Sequence, residues 1–334
     1  MSTGSALPRR VRRWCADALG QEVLGAARLT GGFTDAIWRI SVPSGAAILR
    51  WLDVGHPHAA DARQWIVREE LGCRLTQDSV VPAPVLIATD TDGEATGGWA
   101  NLTSLLPGRV RLDRLGPAAI DALADVAVAV HAIEVADDHR PPPFARWTPA
   151  VLEVPPWSRR PSLWAEAIER CRGPRPTTRQ HLIHRDFHPG NTLWAGDVVT
   201  GLIDWAETSW GPSDLDVAHA CSNFAMLHSV DAALAFERAY ERRGGRLDPD
   251  QEARRYWTCL DVLGFLPDPG PVVVALTRQR PDLDAVGVRH RLEDLLALVL
   301  QDEVHLGVGE GPVGEVEAGR DHAADEHVGD GGTG

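Results

Sequence analysis

The apolar positions of this chain repeat with a period of two early on and with a helical period later. In Ala36-Ile37-Trp38-Arg39-Ile40-Ser41-Val42, Trp38, Ile40 and Val42 alternate with Arg39 and Ser41, which predicts a half-buried strand. Pro43-Ser44-Gly45 turns the chain into a further strand at 46–51, and a Gly-Gly turn at 29–34 precedes the first. A short helix is predicted at 11–19. Residues 59–75 carry Trp65, Leu71 and Leu75 near helical spacing and predict another. An extended run at 80–87, a turn at Asp90-Thr91-Asp92-Gly93 and a strand at 100–106 follow, closed by Pro107-Gly108. From Pro117 onward the pattern is helical, with helices predicted at 118–134, 162–172, 215–243, 250–266 and 288–300 and a proline-rich irregular stretch at 140–157. The order predicts an α+β protein of two lobes, a β-rich one at 1–106 and a larger helical one at 107–306, with a cleft between them. Residues 307–334 are rich in Gly, Glu and Asp with almost no large apolar side chain, and are expected to be disordered.

Composition narrows the class. A chain of 334 residues with 44% apolar side chains can bury a sizeable core. It holds no apolar run of membrane-spanning length, and the basic residues near Met1 are not followed by an apolar leader, so a cytoplasmic protein is expected. Cys15, Cys73, Cys171, Cys221 and Cys259 are scattered and form no C-x-x-C pair, which predicts free thiols rather than a disulfide framework or a zinc site. The net charge is −14, of which residues 301–334, with nine acids and one arginine, supply −8. The mildly acidic remainder makes nucleic acid an unexpected partner. The chain contains no lysine, and all 33 fixed basic side chains are arginine. A phosphate contact usually made by lysine must here come from the arginine fork.

The chemistry concentrates in His184-Arg185-Asp186-Phe187-His188-Pro189-Gly190-Asn191 and in Ile203-Asp204-Trp205. Asp186 supplies a candidate general base in a loop, and Asn191 and Asp204 supply oxygen ligands for Mg²⁺, a set suited to phosphoryl transfer. His184 and His188 flank the base. His184 is placed with it in the catalytic set, as a brace for the loop, and zinc is disfavoured because no further ligand supports the His-x₃-His spacing. Arg50, at the end of a strand, could reach the α/β-phosphates, with Glu69 or Glu70 of the following helix orienting it and Glu69 preferred. Gly31, Gly32 and Thr34 could form a loop over the phosphates. Asp216 is expected to bond within its lobe or support the catalytic loop, and Trp205 and Glu207 could line an acceptor site.

These residues resemble the aminoglycoside phosphotransferase and choline kinase-like family, relatives of the protein kinases. The family's H-x-D-x₄-N pattern is met by His184, Asp186 and Asn191, its I-D-W/F segment by Ile203-Asp204-Trp205, and its Gly-Gly-x-[ST] strand entry by Gly31, Gly32 and Thr34. Its V/I-L-R strand is met by Ile48-Leu49-Arg50, its R-E helix by Arg68-Glu69, and further matches are Val81-Pro82-Ala83-Pro84 and Leu106-Pro107-Gly108. The resemblance implies a two-lobed protein kinase-like fold with a small antiparallel β-rich N-lobe and a larger, mainly α C-lobe. It also implies ATP or GTP in the cleft, two magnesium ions, and a hinge at Thr103-Ser104-Leu105 whose backbone meets the base. Asp35 departs from the family's usual asparagine and places a carboxylate beside the phosphate loop. No G-x-G-x-x-G precedes the catalytic segment, and D-F-G and A-P-E do not occur in the sequence, which favours a small-molecule acceptor over a protein.

Three readings follow. The first is a kinase acting on a hydroxyl of an aminoglycoside-like or amino-alcohol acceptor, with antibiotic resistance as one role. The second is a kinase for choline, homoserine, a sugar or a macrolide. The third is a nucleotide-binding module without catalysis, against which the intact Asp186, Asn191 and Asp204 argue. An aminoglycoside pocket should be strongly acidic. Nine acids, Glu207, Asp214, Asp216, Asp231, Glu237, Glu241, Asp248, Asp250 and Glu252, are available to build one.

Overall fold

In the computed structural model, which describes residues 6–29, 36–114 and 116–301, the alternating segment folds as a five-stranded antiparallel sheet. Its strands are β1 (Gly25–Arg28), β2 (Ile37–Val42), β3 (Gly45–Asp53), β4 (Leu86–Asp90) and β5 (Gly98–Ser104), in the order β1-β2-β3-β5-β4. Strand alternation sorts β3 between two helices. Ala47 and Leu49 join Trp38, Ile40 and Leu102 against Val11 and Cys15 of α1 (Arg9–Leu19). Leu52 packs instead on Ala62 and Ile66 of α2 (Ala59–Thr76). On α2 the residues Ala62, Ile66, Glu69, Cys73 and Thr76 are all buried, a stripe at helical spacing that carries Glu69 toward the sheet. β5 stops at Ser104, two residues before the predicted end: the Ser104 hydroxyl accepts from the Val85 amide (2.9 Å), and Leu105 is exposed.

The helical region contains α3 (Pro117–His131), α4 (Pro161–Arg172), α5 (Ser213–Leu227), α6 (Val230–Arg242), α7 (Gln251–Val262), α8 (Gly270–Leu276) and α9 (Ala285–Leu300). Short strands β6 (Arg109–Val110), β8 (Thr192–Ala195) and β9 (Val198–Leu202) form one small sheet, and β7 (His181–Ile183) pairs with β10 (Ser209–Gly211). The single helix expected at 215–243 is two. Ser229 takes an extended conformation and its hydroxyl caps α6 by accepting from the Ala232 amide (3.2 Å). α5 is the central helix, buried at every position. Burial of its polar side chains calls for partners, and Asp216, His219 and Asn223 each find one.

Two features join α2 to the helical region. Arg68 donates to the carbonyls of Thr208 (2.7 Å) and Pro143 (3.0 Å) and to the Ser209 hydroxyl (2.8 Å). Gly72 lies so close to the turn Trp205–Glu207 that a Cβ there would stand 2.4 Å from Thr208 Oγ1 and 2.9 Å from the Trp205 ring. All five cysteines are buried free thiols. Among the described residues no single helix is long and apolar enough to cross a membrane.

Candidate active site

The loop after β7 is shaped by one buried carboxylate. Asp216, with no exposed surface, accepts from the backbone amides of His184 (2.8 Å) and Arg185 (2.7 Å) and lies 3.2 Å from His131 Nε2. This clamp holds Arg185 at φ 72°, a left-handed conformation uncommon for a side-chain-bearing residue. Phe187 is buried on the far side of the turn, stacked on Phe236, so Asp186 between them emerges at the surface of a cavity. Asn191 Nδ2 donates to both the Asp186 carbonyl (2.9 Å) and its Oδ2 (2.8 Å). The Ile203 amide donates to the Asn191 carbonyl (2.9 Å), which sets Asp204, at φ 64°, beside the loop.

The cavity holds about 540 Å³ and is lined by Arg50, Asp186, Asn191 and Asp204 together. Arg50 is buried and bridges two carboxylates, through Nε to Glu69 Oε1 (2.9 Å) and through Nη2 to Asp204 Oδ1 (2.7 Å). Glu69 is fixed in turn by Asn101 Nδ2 on its other oxygen (3.0 Å). Glu70 pairs with Arg74 at the surface instead. Both hydrogens of Asn191 Nδ2 are used on Asp186, and among the described residues no donor bonds its Oδ1. That oxygen and Asp204 Oδ2 are two hard donors in one cavity, a set that fits Mg²⁺.

A second chain of charges reaches Asp186 from behind. His219 of α5 places Nε2 3.1 Å from Asp186 Oδ1, and its Nδ1 lies 3.0 Å from Asp261 Oδ1 on α7. Burial disfavours the imidazolium, but Asp261 and Asp186 outweigh it and raise the His219 pKa to about 9. Burial likewise works against ionised Asp186, yet the His188 and His219 rings hold its carboxyl well below the usual carboxylate range. His188 itself is pushed down to about 4 by burial and is neutral near pH 7. The Arg185 guanidinium lies 3.6 Å from the centre of the Trp147 ring and 3.6 Å from Asp261 Oδ1. The outcome is an ionised carboxylate held on both oxygens, by an amide and by an imidazolium, at the wall of a cavity that Asn191, Asp204 and the Arg50 guanidinium also line.

A family model described as the phosphotransferase enzyme family matches residues 26–257. The chain belongs to that family. Solved structures agree on the fold. A mutant of aminoglycoside phosphotransferase APH(4)-Ia, in ternary complex with ADP and hygromycin B, is 17% identical with a TM-score of 0.54, over 86% of this chain and 98% of that one. Macrolide 2'-phosphotransferase MphH from Brachybacterium faecium is 17% identical with a TM-score of 0.53, over 87% and 97%. The type VIII aminoglycoside-3'-phosphotransferase is 18% identical with a TM-score of 0.52, over 76% and 99%. Among curated proteins none matches in sequence. This phosphotransferase therefore has the two-lobed, α+β, protein kinase-like fold.

The structure brings Asp186, Asn191, Asp204 and Arg50 to one cavity, with Glu69 behind Arg50. His184, grouped with the base from sequence, lies elsewhere. It is fully buried, with Nε2 3.0 Å from the Ile203 carbonyl and its ring edge-on to Trp205, so it positions the loop and does not line the cavity. Thr103 is paired within the sheet to Ile48 and Leu86, and neither it nor the exposed Leu105 lines the cavity. Gly31, Gly32 and Thr34 lie outside the described residues, as do residues 307–334. Sequence reasoning missed His219, Asp261 and Trp147. A signal was present for the first two: His219 sits between alanines and Asp261 between Leu260 and Val262, and an ionisable residue inside an apolar helical run needs a buried partner.

Proposed function

We propose that the protein is an ATP- or GTP-dependent kinase that transfers the γ-phosphoryl group to a hydroxyl of a small molecule. The observation that carries the reading is the convergence of Asp186, Asn191, Asp204 and the Arg50–Glu69 pair on one cavity. Asp186 accepts the proton of the attacking hydroxyl and orients its oxygen in line. The new bond forms between that oxygen and the γ-phosphorus as the bond from the γ-phosphorus to the bridging oxygen breaks, and the nucleoside diphosphate leaves. Asn191 Oδ1 and Asp204 would hold Mg²⁺, which neutralises phosphate charge when bound. Arg50 forks onto the α/β-phosphates while Glu69 and Asn101 fix its direction. Residues 1–106, with the loop around Gly31, Gly32 and Thr34 and the backbone from Thr103 to Leu105, would bind the nucleotide. Residues 107–306 would carry catalysis and the acceptor.

Two measurements test this. Mg²⁺ with a non-hydrolysable nucleotide should raise the melting temperature of the wild type and not of Asp204→Ala. Nucleotide consumption should depend on an added alcohol. A protein that consumes nucleotide equally well with Asp204 removed would refute the assignment.

A further inference from the structure

The sequence offers nine acids between Asp204 and Tyr256 for a polycation-binding pocket, and of these only Glu207 lines the cavity. Several of the others serve the fold. Asp214 accepts from the Asp248 amide, Asp216 clamps the catalytic loop, and Glu237 pairs with Arg254. The remaining lining acids already have cationic partners: Asp204 has Arg50, and Asp186 and Asp261 share His219, with Arg185 beside Asp261. Among the described residues, Glu207 is the single acid on the cavity without an ion pair; burial and Asp186 raise its pKa, against the pull of Arg68, Arg185 and a bond from the Trp65 ring. One side of the cavity is apolar. Val272 and Leu276 present one stripe of α8 to the cavity, and Val110 and Leu112 stand with them. Leu112 and Leu276 are themselves members of a buried cluster, so this wall is backed by core. Trp147 and Phe265 flank His219, the first edge-on at 5.2 Å and the second stacked at 6.3 Å.

We propose that the acceptor is a predominantly apolar alcohol carrying at most one amine, its hydroxyl on Asp186, its body against α8 and Trp147, and any amine at Glu207. The proposal rests on the kinase reading above and narrows it. A polyamine sugar would find one carboxylate outside an ion pair where it needs several, and on the α8 side would face an apolar surface that cannot replace the water it loses. A bulky apolar alcohol gains from the same surface by burial.

The test is calorimetric binding at low salt, so that it does not depend on turnover. The probes are a panel of apolar alcohols with no amine or one amine, including the macrolactone erythromycin, set against the tetra-amine kanamycin A. Binding of magnesium with a non-hydrolysable ATP analogue is measured in parallel. At least one apolar probe should bind about tenfold tighter than kanamycin A. Val272→Glu, which adds an acid to the wall, should weaken that probe and tighten kanamycin A, a reciprocal change that misfolding cannot produce. Val272→Ala, which removes only part of the apolar contact, should weaken the apolar probe without tightening kanamycin A. Tighter binding of kanamycin A by the wild type, or nucleotide binding with no apolar probe bound, would overturn this proposal and leave the kinase reading standing. Failure to bind the nucleotide would instead count against the kinase reading.

Discussion

Removal of Asp216 should cost more than removal of any residue that lines the cavity, because it unmakes the loop from beneath. The Asp216 side chain has no exposed surface, and its two oxygens accept backbone amides at 2.8 and 2.7 Å. Hydrogen bonds to a buried charge contribute about 1.5–3 kcal/mol each, and the amides left behind are orphaned where water cannot reach them. Asp216→Ala should therefore lower the unfolding free energy by about 3–6 kcal/mol. With an unfolding entropy of about 2.1 cal/mol/K per residue, roughly 0.6 kcal/mol/K for a chain of this length, the melting temperature should fall by about 5–10 °C. Asp216→Asn keeps one acceptor oxygen but turns an amide donor toward a backbone N–H, so it should recover less than half of the loss. Urea unfolding at neutral pH, followed by tryptophan fluorescence, measures the difference. Turnover assayed below both transitions should show kcat reduced more than KM, since the clamp sets the position of Asp186. A loss under about 1 kcal/mol with kcat intact would refute the argument that these two amides are held by Asp216.

Three further outcomes follow from other parts of the structure. Gly72→Ala should destabilise by about 1–3 kcal/mol despite the better helix propensity of alanine, because its Cβ would meet Thr208 and Trp205; an unchanged urea midpoint would contradict the close approach. Arg50→Lys keeps the charge but cannot reach both Glu69 and Asp204, so the Kd for Mg²⁺-nucleotide should rise about 10–100-fold by calorimetry, and an unchanged Kd would show that the fork is not used. His219 is raised from 6.5 to about 9 in the folded protein, so its contribution to stability is complete below pH 6.5 and disappears as the pH climbs through 9. The stability advantage of the wild type over His219→Asn should shrink across that window, and an advantage that grows with pH would reverse the sign of the argument.

The parts of this protein that were legible in sequence are those with a short-range signature. Period-two alternation marked β2, the Pro43-Ser44-Gly45 turn marked the start of β3, helical spacing marked α2, and the spacing of Asp186, Asn191 and Asp204 pointed to the phosphotransferase family that the comparisons then showed. What escaped depends on long-range contact. Nothing near His219 says that it will meet Asp186, 33 positions earlier, and Asp261, 42 positions later, because that meeting is made by the packing of α5 on α7. The break between α5 and α6 was hidden because Ser229 is compatible with a helix as well as with a cap. α8 was hidden among Pro267, Pro269 and Pro271, and only the structure shows its apolar stripe facing the cavity. Counting acids along a segment likewise does not say which of them cap helices, clamp loops or pair with arginine, and of the nine between Asp204 and Tyr256 only Glu207 lines the cavity.

The central claim, that Asp186 acts on the acceptor hydroxyl in a nucleotide-dependent transfer, is tested most directly by Asp186→Asn. This variant removes the base while keeping the size of the side chain and an oxygen that can still accept from Asn191. The measurement pairs nucleotide consumption with an accepted alcohol against calorimetric binding of Mg²⁺-nucleotide. The account predicts a fall in kcat of about 10²–10⁴-fold with nucleotide affinity nearly unchanged. Turnover equal to the wild type would contradict it.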